Sequence, residues 1–316
     1  MPVEFNNNDS YELEQDYLSQ TEDNLDVELN DDNIYYSHEE IEETIPGLST
    51  EELRDPNKIV VTIADSSTPI VVLFGPPASG KTMTLVRLTR FLKNEGYVVG
   101  PIRTFRPAAD SNYRNICNNF DSIINSNDAA SSTDHVSFML VEVIKNGRVL
   151  CQILEAPGEH YFKPDDPTSQ FPVYVNKIIN CSNRKIWAIM LEPDWMDHSD
   201  RLNYVNKIGL LKREMRPRDK TIFVFNKIDK TNYVRSLGNV NEQEAIKKVG
   251  QLYPGIYAPF ENQNPITRLW KKYNCEFISF QTGNYSRTVT GGLTYVEGPR
   301  EYCAKLWNYI CDALKG

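Results

Sequence analysis

Ile70-Val71-Val72-Leu73-Phe74-Gly75-Pro76-Pro77-Ala78-Ser79-Gly80-Lys81-Thr82 decides the reading of this chain. Its first five residues are continuously apolar, as in a strand buried on both faces inside an α/β sheet. The next eight fit Gly-x-x-x-x-Gly-Lys-Ser/Thr. From Thr82 to Asn94 the chain turns amphipathic, with Leu85, Leu88, Phe91 and Leu92 at helical spacing. Strand, glycine-rich turn and helix are the order this pattern requires. The glycines let the backbone curl until several N–H groups converge, and the helix N-terminus adds partial positive charge, so the turn makes a cradle for phosphate oxygens. Gly75, Ser79, Gly80, Lys81 and Thr82 are the expected contacts. Lys81 would bridge the β- and γ-phosphates, and Thr82 would offer its hydroxyl to Mg²⁺.

Working outward, strand-like runs recur at 59–63, 136–144, 149–154, 185–191, 221–225 and 276–280. Amphipathic stretches separate them. Ser199 is the expected N-cap of a helix over Asp200–Met215, Asn241 starts another with Glu242 and Glu244 in its first turn, and Pro299 opens a last helix ending near Leu314. The alternation predicts an α/β fold, a three-layer, mostly parallel sheet with helices on both faces. Asn146-Gly147 joins two of the runs as a hairpin, which predicts one antiparallel edge strand.

A second motif lies at the end of a later apolar run, in Phe223-Val224-Phe225-Asn226-Lys227-Ile228-Asp229. Asn-Lys-x-Asp at a strand's C-terminal end sits where such sheets present ligand contacts. A carboxylate has two acceptor oxygens, and guanine offers a matching pair of donors at N1–H and the 2-amino group. Adenine lacks both, and would leave the carboxylate desolvated and unpaired. Asp229 is therefore the expected reader of the base, with Asn226 and Lys227 shaping its pocket.

These two motifs in this order resemble the Ras-like, translation-factor-related P-loop GTPase superfamily over residues 57–316. The resemblance implies a Mg²⁺-dependent GTP hydrolase or nucleotide-controlled switch. The family's Asp-x-x-Gly appears as Glu155-Ala156-Pro157-Gly158, giving Glu155 a metal-linked role and the Gly158 N–H to the γ-phosphate. Thr133 takes the place of the metal-binding threonine of the first switch. Phe277-Ile278-Ser279-Phe280-Gln281-Thr282 stands where the family has its Ser-Ala-Lys base loop, so Ser279 and the backbone near Phe280 are expected at the guanine. Glu159 falls on the usual water-positioning glutamine, and His160 is the other candidate for orienting water. An insert at 101–132 carries Arg103, Arg106 and Arg114, any of which would serve as an internal arginine finger. That insert and the Glu-x-Pro-Gly-Glu loop are similar to bacterial GTPases of multi-gene conflict or signalling systems.

Charge divides the chain unevenly. The formal charge is −9, but residues 1–56 hold eighteen acids against Arg54 alone, and residues 57–316 hold twenty-five acids against thirty-three bases. The leader is thus −17 and is expected to be disordered: a solvated extension, a tail that folds back over the basic body, or a segment that docks on a partner through Tyr11, Tyr17, Leu18, Ile34, Tyr35 and Tyr36. The body at +8 suits anionic ligands. Six cysteines at 117, 151, 181, 275, 303 and 311 form neither a disulfide frame nor a zinc site. No run approaches the ~20 apolar residues that span a bilayer, and no lipidation signal is present, which points to a cytoplasmic protein and leaves any membrane contact to a partner.

The expected ligands are GTP or GDP with Mg²⁺, and the expected partner is a protein effector or regulator; nothing indicates nucleic acid. Loops 126–134 and 155–170 would order around the γ-phosphate and relax after hydrolysis. Two competing readings remain: a GTP/GDP-binding module without turnover, and an ATP-driven P-loop enzyme in which Asn226–Asp229 is coincidental.

Overall fold

The computed structural model describes residues 47–126, 137–192, 198–287 and 293–315. The chain divides into Met1–Glu42, which lies outside the described residues, and a compact unit from Glu43 to Gly316. Strand β1 (Ile70–Phe74) is the middle of a seven-stranded sheet. Outward on one side run β4 (Arg148–Glu155), β3 (Met139–Lys145) and β2 (Val98–Pro101), and on the other β5 (Lys185–Leu191), β6 (Lys220–Phe225) and β9 (Glu276–Ser279).

From β4 across to β9 every pairing is parallel. All five residues of β1 are buried, which needs cover on both faces of the sheet. Helix α2 (Lys81–Asn94) packs against α3 (Ser111–Asn125) and the C-terminal helix Arg300–Lys315. The Phe74 ring meets Tyr161 of α4 (Gly158–Tyr161) and stacks on Tyr204, whose helix comes two later, after α5 (Val173–Asn180), and is numbered α6 (His198–Glu214). The reversed strand is β3. Asn146 and Gly147 both take positive φ, 52° and 72°, as a two-residue hairpin turn needs. β2 then adds antiparallel outside β3, so the reversed strand lies one in from the edge.

Helix α7 (Glu242–Leu252) starts as expected, with the Asn241 side chain accepting from the Glu244 N–H, and is followed by α8 (Pro265–Trp270) and α9 (Arg300–Lys315). Ser199 is not a cap, because α6 already begins at His198. Two small hairpins, β7 (Val234–Ser236) with β8 (Asn239–Val240) and β10 (Gly283–Arg287) with β11 (Leu293–Glu297), were not foreseen.

Residues 59–63 do not join a sheet. Ile59 and Val61 are buried and Val60 exposed, the alternation that makes the segment look like a strand. Its backbone partners are scattered: the Thr62 N–H donates to the Phe105 carbonyl at 2.8 Å, Arg106 Nη1 donates to the Val60 carbonyl at 2.9 Å and Lys177 Nζ to that of Val61 at 2.7 Å. The packed body also starts earlier than the charge break at 56. Leu48 is buried, Ser49 and Glu52 form a capping box on α1 (Thr50–Arg54), and Glu52 pairs with buried Arg106. An acid of the supposed leader is thus a structural ion-pair partner.

Candidate functional site

β1 delivers the chain at its C-terminal end into Gly75–Gly80, and α2 begins at Lys81. Gly80 has φ of +83°, and a Cβ there would lie 2.1 Å from Asn226 Nδ2, so both conformation and space demand glycine. Asn226, at the end of β6, is fully buried, and its Nδ2 donates to the Ser79 carbonyl at 2.8 Å. The two motifs are therefore directly joined: the first residue of Asn-Lys-x-Asp braces the glycine-rich loop. Within that loop Ser79 Oγ donates to the Pro76 carbonyl at 2.8 Å, and Lys81 Nζ to the same oxygen at 2.9 Å. Burial pulls the Lys81 ammonium below its ordinary pKa, opposed by the nearby carboxylates of Glu155, Glu159 and Glu192.

Thr82 Oγ1 donates to Glu155 Oε1 at 3.0 Å. Glu155 ends β4, is buried, and its other oxygen, Oε2, has no hydrogen-bond partner. Burial pushes this carboxyl well above the usual range, against the pull of Lys81 and the Thr82 hydroxyl. An orphaned carboxylate oxygen beside a hydroxyl is a fitting donor set for a hard cation. Among the described residues no three acidic, histidine or cysteine side chains gather into a metal cage. Thr133 lies outside the described residues.

Gly158 presses against the phosphate loop from the other side. A Cβ on it would fall 2.2 Å from Pro77 N and 2.4 Å from Pro76 C, so the two loops touch backbone to backbone. Glu159 follows and is exposed. His160 is buried, its Nδ1 lies 2.7 Å from Tyr174 OH, and burial lowers its pKa to about 3, keeping the ring neutral. Of the three arginines of the insert, Arg106 is held by Glu52, Asp110 and the Val60 carbonyl, while Arg103 and Arg114 are exposed.

A cleft of about 520 Å³ opens above the loop, lined by Ala78, Gly80, Lys81, Thr82, Met83, Lys227, Asp229, Lys230, Thr282, Gly283 and Asn284. Asp229 and the phosphate-loop lysine thus face one space. Lys227 adopts φ of +55°, and its Nζ donates to Glu192 Oε2 at 2.8 Å, fixing the stem of the base motif.

No protein-family model and no curated protein matches the chain. Solved structures to which it is similar include a Plasmodium falciparum protein assigned as nucleolar GTP-binding protein 1, at 12% identity and TM-score 0.39, covering 81% of this chain and 90% of that one. Another is a variant of SsGBP, at 13% identity and TM-score 0.32, covering 68% of this chain and 51% of that one. A third is the GTPase-like domain of Saccharomyces cerevisiae Ski7, bound to GDP and inorganic phosphate, at 11% identity and TM-score 0.41, covering 79% of this chain and 51% of that one. The chain thus spans about half the length of the second and third.

Of the residues expected at a base, Ser279 and Phe280 are buried and set back from the cleft; the Phe280 N–H donates to the Phe225 carbonyl at 2.8 Å, its own carbonyl accepts from Ile228, and Arg87 covers its ring. Thr282, Gly283 and Asn284 line the cleft with Asp229 instead. No motif marks them in the sequence. Tyr295 OH donates to the Thr282 carbonyl at 2.5 Å, tying β11 to this wall.

Proposed function

We propose that the cleft binds a guanine nucleotide with Mg²⁺ and that the chain is a GTP hydrolase or a switch controlled by the bound nucleotide. The observation that carries this reading is that Asp229, Lys81 and Thr82 line the same cleft, with Asn226 tying their two loops together. In this reading the N–H groups of the Gly75–Thr82 loop, with Gly75, Ser79 and Gly80, receive the phosphates. Lys81 leaves the Pro76 carbonyl for the β- and γ-oxygens, and Asp229 takes the paired donors of guanine. Thr82 and Glu155 hold the cation, which supplies charge neutralisation between the phosphates. Gly158 offers its N–H to the γ-phosphate. Base contacts fall to Thr282, Gly283 and Asn284 rather than to Ser279 and Phe280. Glu159 and His160 are the candidate water-positioning groups, and without the usual glutamine the intrinsic turnover is slow.

The test is nucleotide preference. Nucleotide released from the denatured purified chain and identified by chromatography should be GTP or GDP, and Asp229→Asn should weaken guanine and strengthen xanthine nucleotides, since an acceptor becomes a donor. An Asp229→Asn chain with unaltered preference between GTP, ATP and XTP refutes the assignment. Single-turnover phosphate release then separates hydrolysis from binding alone.

A further inference from the structure

Between α7 and β9 the chain carries a projection that the nucleotide site does not use. Residues 263–272 are all exposed, and α8 within them has no buried residue. Ile266, Leu269 and Trp270 stand 71%, 85% and 88% exposed. Their spacing of i, i+3 and i+4 places them on one helical face, and Arg268 lies roughly opposite. Packing does not hold this element in shape. Its stem does: Glu261 pairs antiparallel with Tyr273, the Asn262 N–H donates to the Lys272 carbonyl at 3.0 Å, and Asn264 caps the helix.

The ten residues of the tip include Arg268, Lys271 and Lys272 and no acid. The acids that pair with two of them, Glu261 and Glu276, belong to the stem and to β9, and both cations stay about half exposed. Pairs this open to solvent are worth little, so the cations remain available to another anion. We propose that this preformed wedge docks on an anionic lipid surface, with Ile266, Leu269 and Trp270 at the acyl boundary and the three cations among the headgroups. An apolar face carrying Trp and Leu, backed by Lys and Arg, is the composition that lies in a membrane interface.

Three side chains are too few for a stable protein interface, which takes about 800 Å² from each partner. A planar lipid surface needs no matching groove. With no spanning helix among the described residues, the attachment is weak and reversible. The wedge enters β9 at its N-terminal end, whereas the cleft lies past the C-terminal end of that strand, so docking leaves the cleft open.

Flotation of the full chain with phosphatidylcholine vesicles, with and without about 30% phosphatidylserine, at physiological salt tests this. The chain should float with the mixed vesicles only. Leu269→Asp and Trp270→Asp should abolish flotation, and Lys271→Gln with Lys272→Gln should lower binding by roughly twenty-fivefold, about fivefold per charge. These positions are exposed, so all variants should keep wild-type thermal stability. Failure of the wild-type chain to float with mixed vesicles overturns the proposal and leaves the apolar face to a protein groove. Flotation undiminished by Trp270→Asp overturns it equally.

Discussion

Replacing Gly158 by alanine drives a methyl group into the phosphate loop. The new Cβ would sit 2.2, 2.4 and 2.6 Å from Pro77 N, Pro76 C and Pro77 Cα. Ordinary carbon contacts begin near 3.5 Å, so one loop must retreat by about 1 Å, and no rotamer change helps because all three obstacles are backbone. Overpacking of this kind costs about 1–3 kcal/mol, which for a body of this size lowers Tm by roughly 2–4 °C per kcal/mol. The functional consequence is selective. If the Gly158 N–H serves the γ-phosphate, a retreat of about 1 Å forfeits a charge-assisted hydrogen bond worth roughly 1.5–3 kcal/mol, a ten- to hundredfold loss for GTP, while GDP has no γ-phosphate to lose. Calorimetric titration with GDP and a non-hydrolysable GTP analogue, beside thermal unfolding, measures both effects. Gly209→Ala is the control: nothing lies within 4 Å of a Cβ there, and a helical alanine should leave Tm equal or higher. A Gly158→Ala chain with wild-type Tm and an unchanged GTP-to-GDP affinity ratio would refute the reasoning.

Asn226→Ala removes the buried donor to the Ser79 carbonyl and should weaken all guanine nucleotides alike by about tenfold or more, checked by fluorescent-nucleotide titration; equal loss for GTP and GDP distinguishes it from Gly158→Ala. Arg106→Ala strips Glu52, Asp110 and the Val60 carbonyl of their shared partner and should cost about 3–5 kcal/mol in urea unfolding, with Glu52→Gln costing less because a neutral acceptor remains. His160, held neutral with a folded pKa of about 3 against about 6.5 unfolded, stabilises the fold above pH 6.5, and that contribution is lost as pH falls towards 3. Between pH 7 and pH 5 the wild-type chain should therefore lose about 2 kcal/mol that a His160→Gln chain does not, as read from unfolding midpoints at the two pH values.

What the sequence disclosed and what it hid divide along the range of the interactions. Ile70–Phe74, Lys185–Leu191 and the helix after Lys81 are set by apolar runs and local caps, and the fold places them within a residue or so of the sequence reading. Asn146-Gly147 is as local and as legible. The Val60 and Val61 carbonyls are satisfied by Arg106 and Lys177, 46 and 116 residues away, and no local pattern separates that from strand pairing. The same holds for Glu52, which counts as one more acid of an acidic leader until its bond to Arg106 is seen.

At the site, Lys81, Thr82 and Asp229, which the motifs single out, line one cleft, and Asn226 ties their two loops together. Positions that depend on the path of the backbone were less legible. Phe280 stands where an aligned motif puts a base contact, but its N–H and C=O both go to neighbouring segments, so the cleft wall shifts to Thr282–Asn284. Glu155 differs again. Its longer side chain reaches Thr82 Oγ1 directly and leaves one oxygen unpartnered in a buried place, and an unpaired carboxylate oxygen there is costly unless a proton or a cation satisfies it. Protonation is one answer to that cost, in keeping with the raised pKa, and under the proposed function a cation bound together with nucleotide phosphates would be the other. On that proposal, exchange between the two would tie cation binding to release of a proton, so affinity for Mg²⁺ with nucleotide should rise with pH until the Glu155 carboxyl is fully ionised.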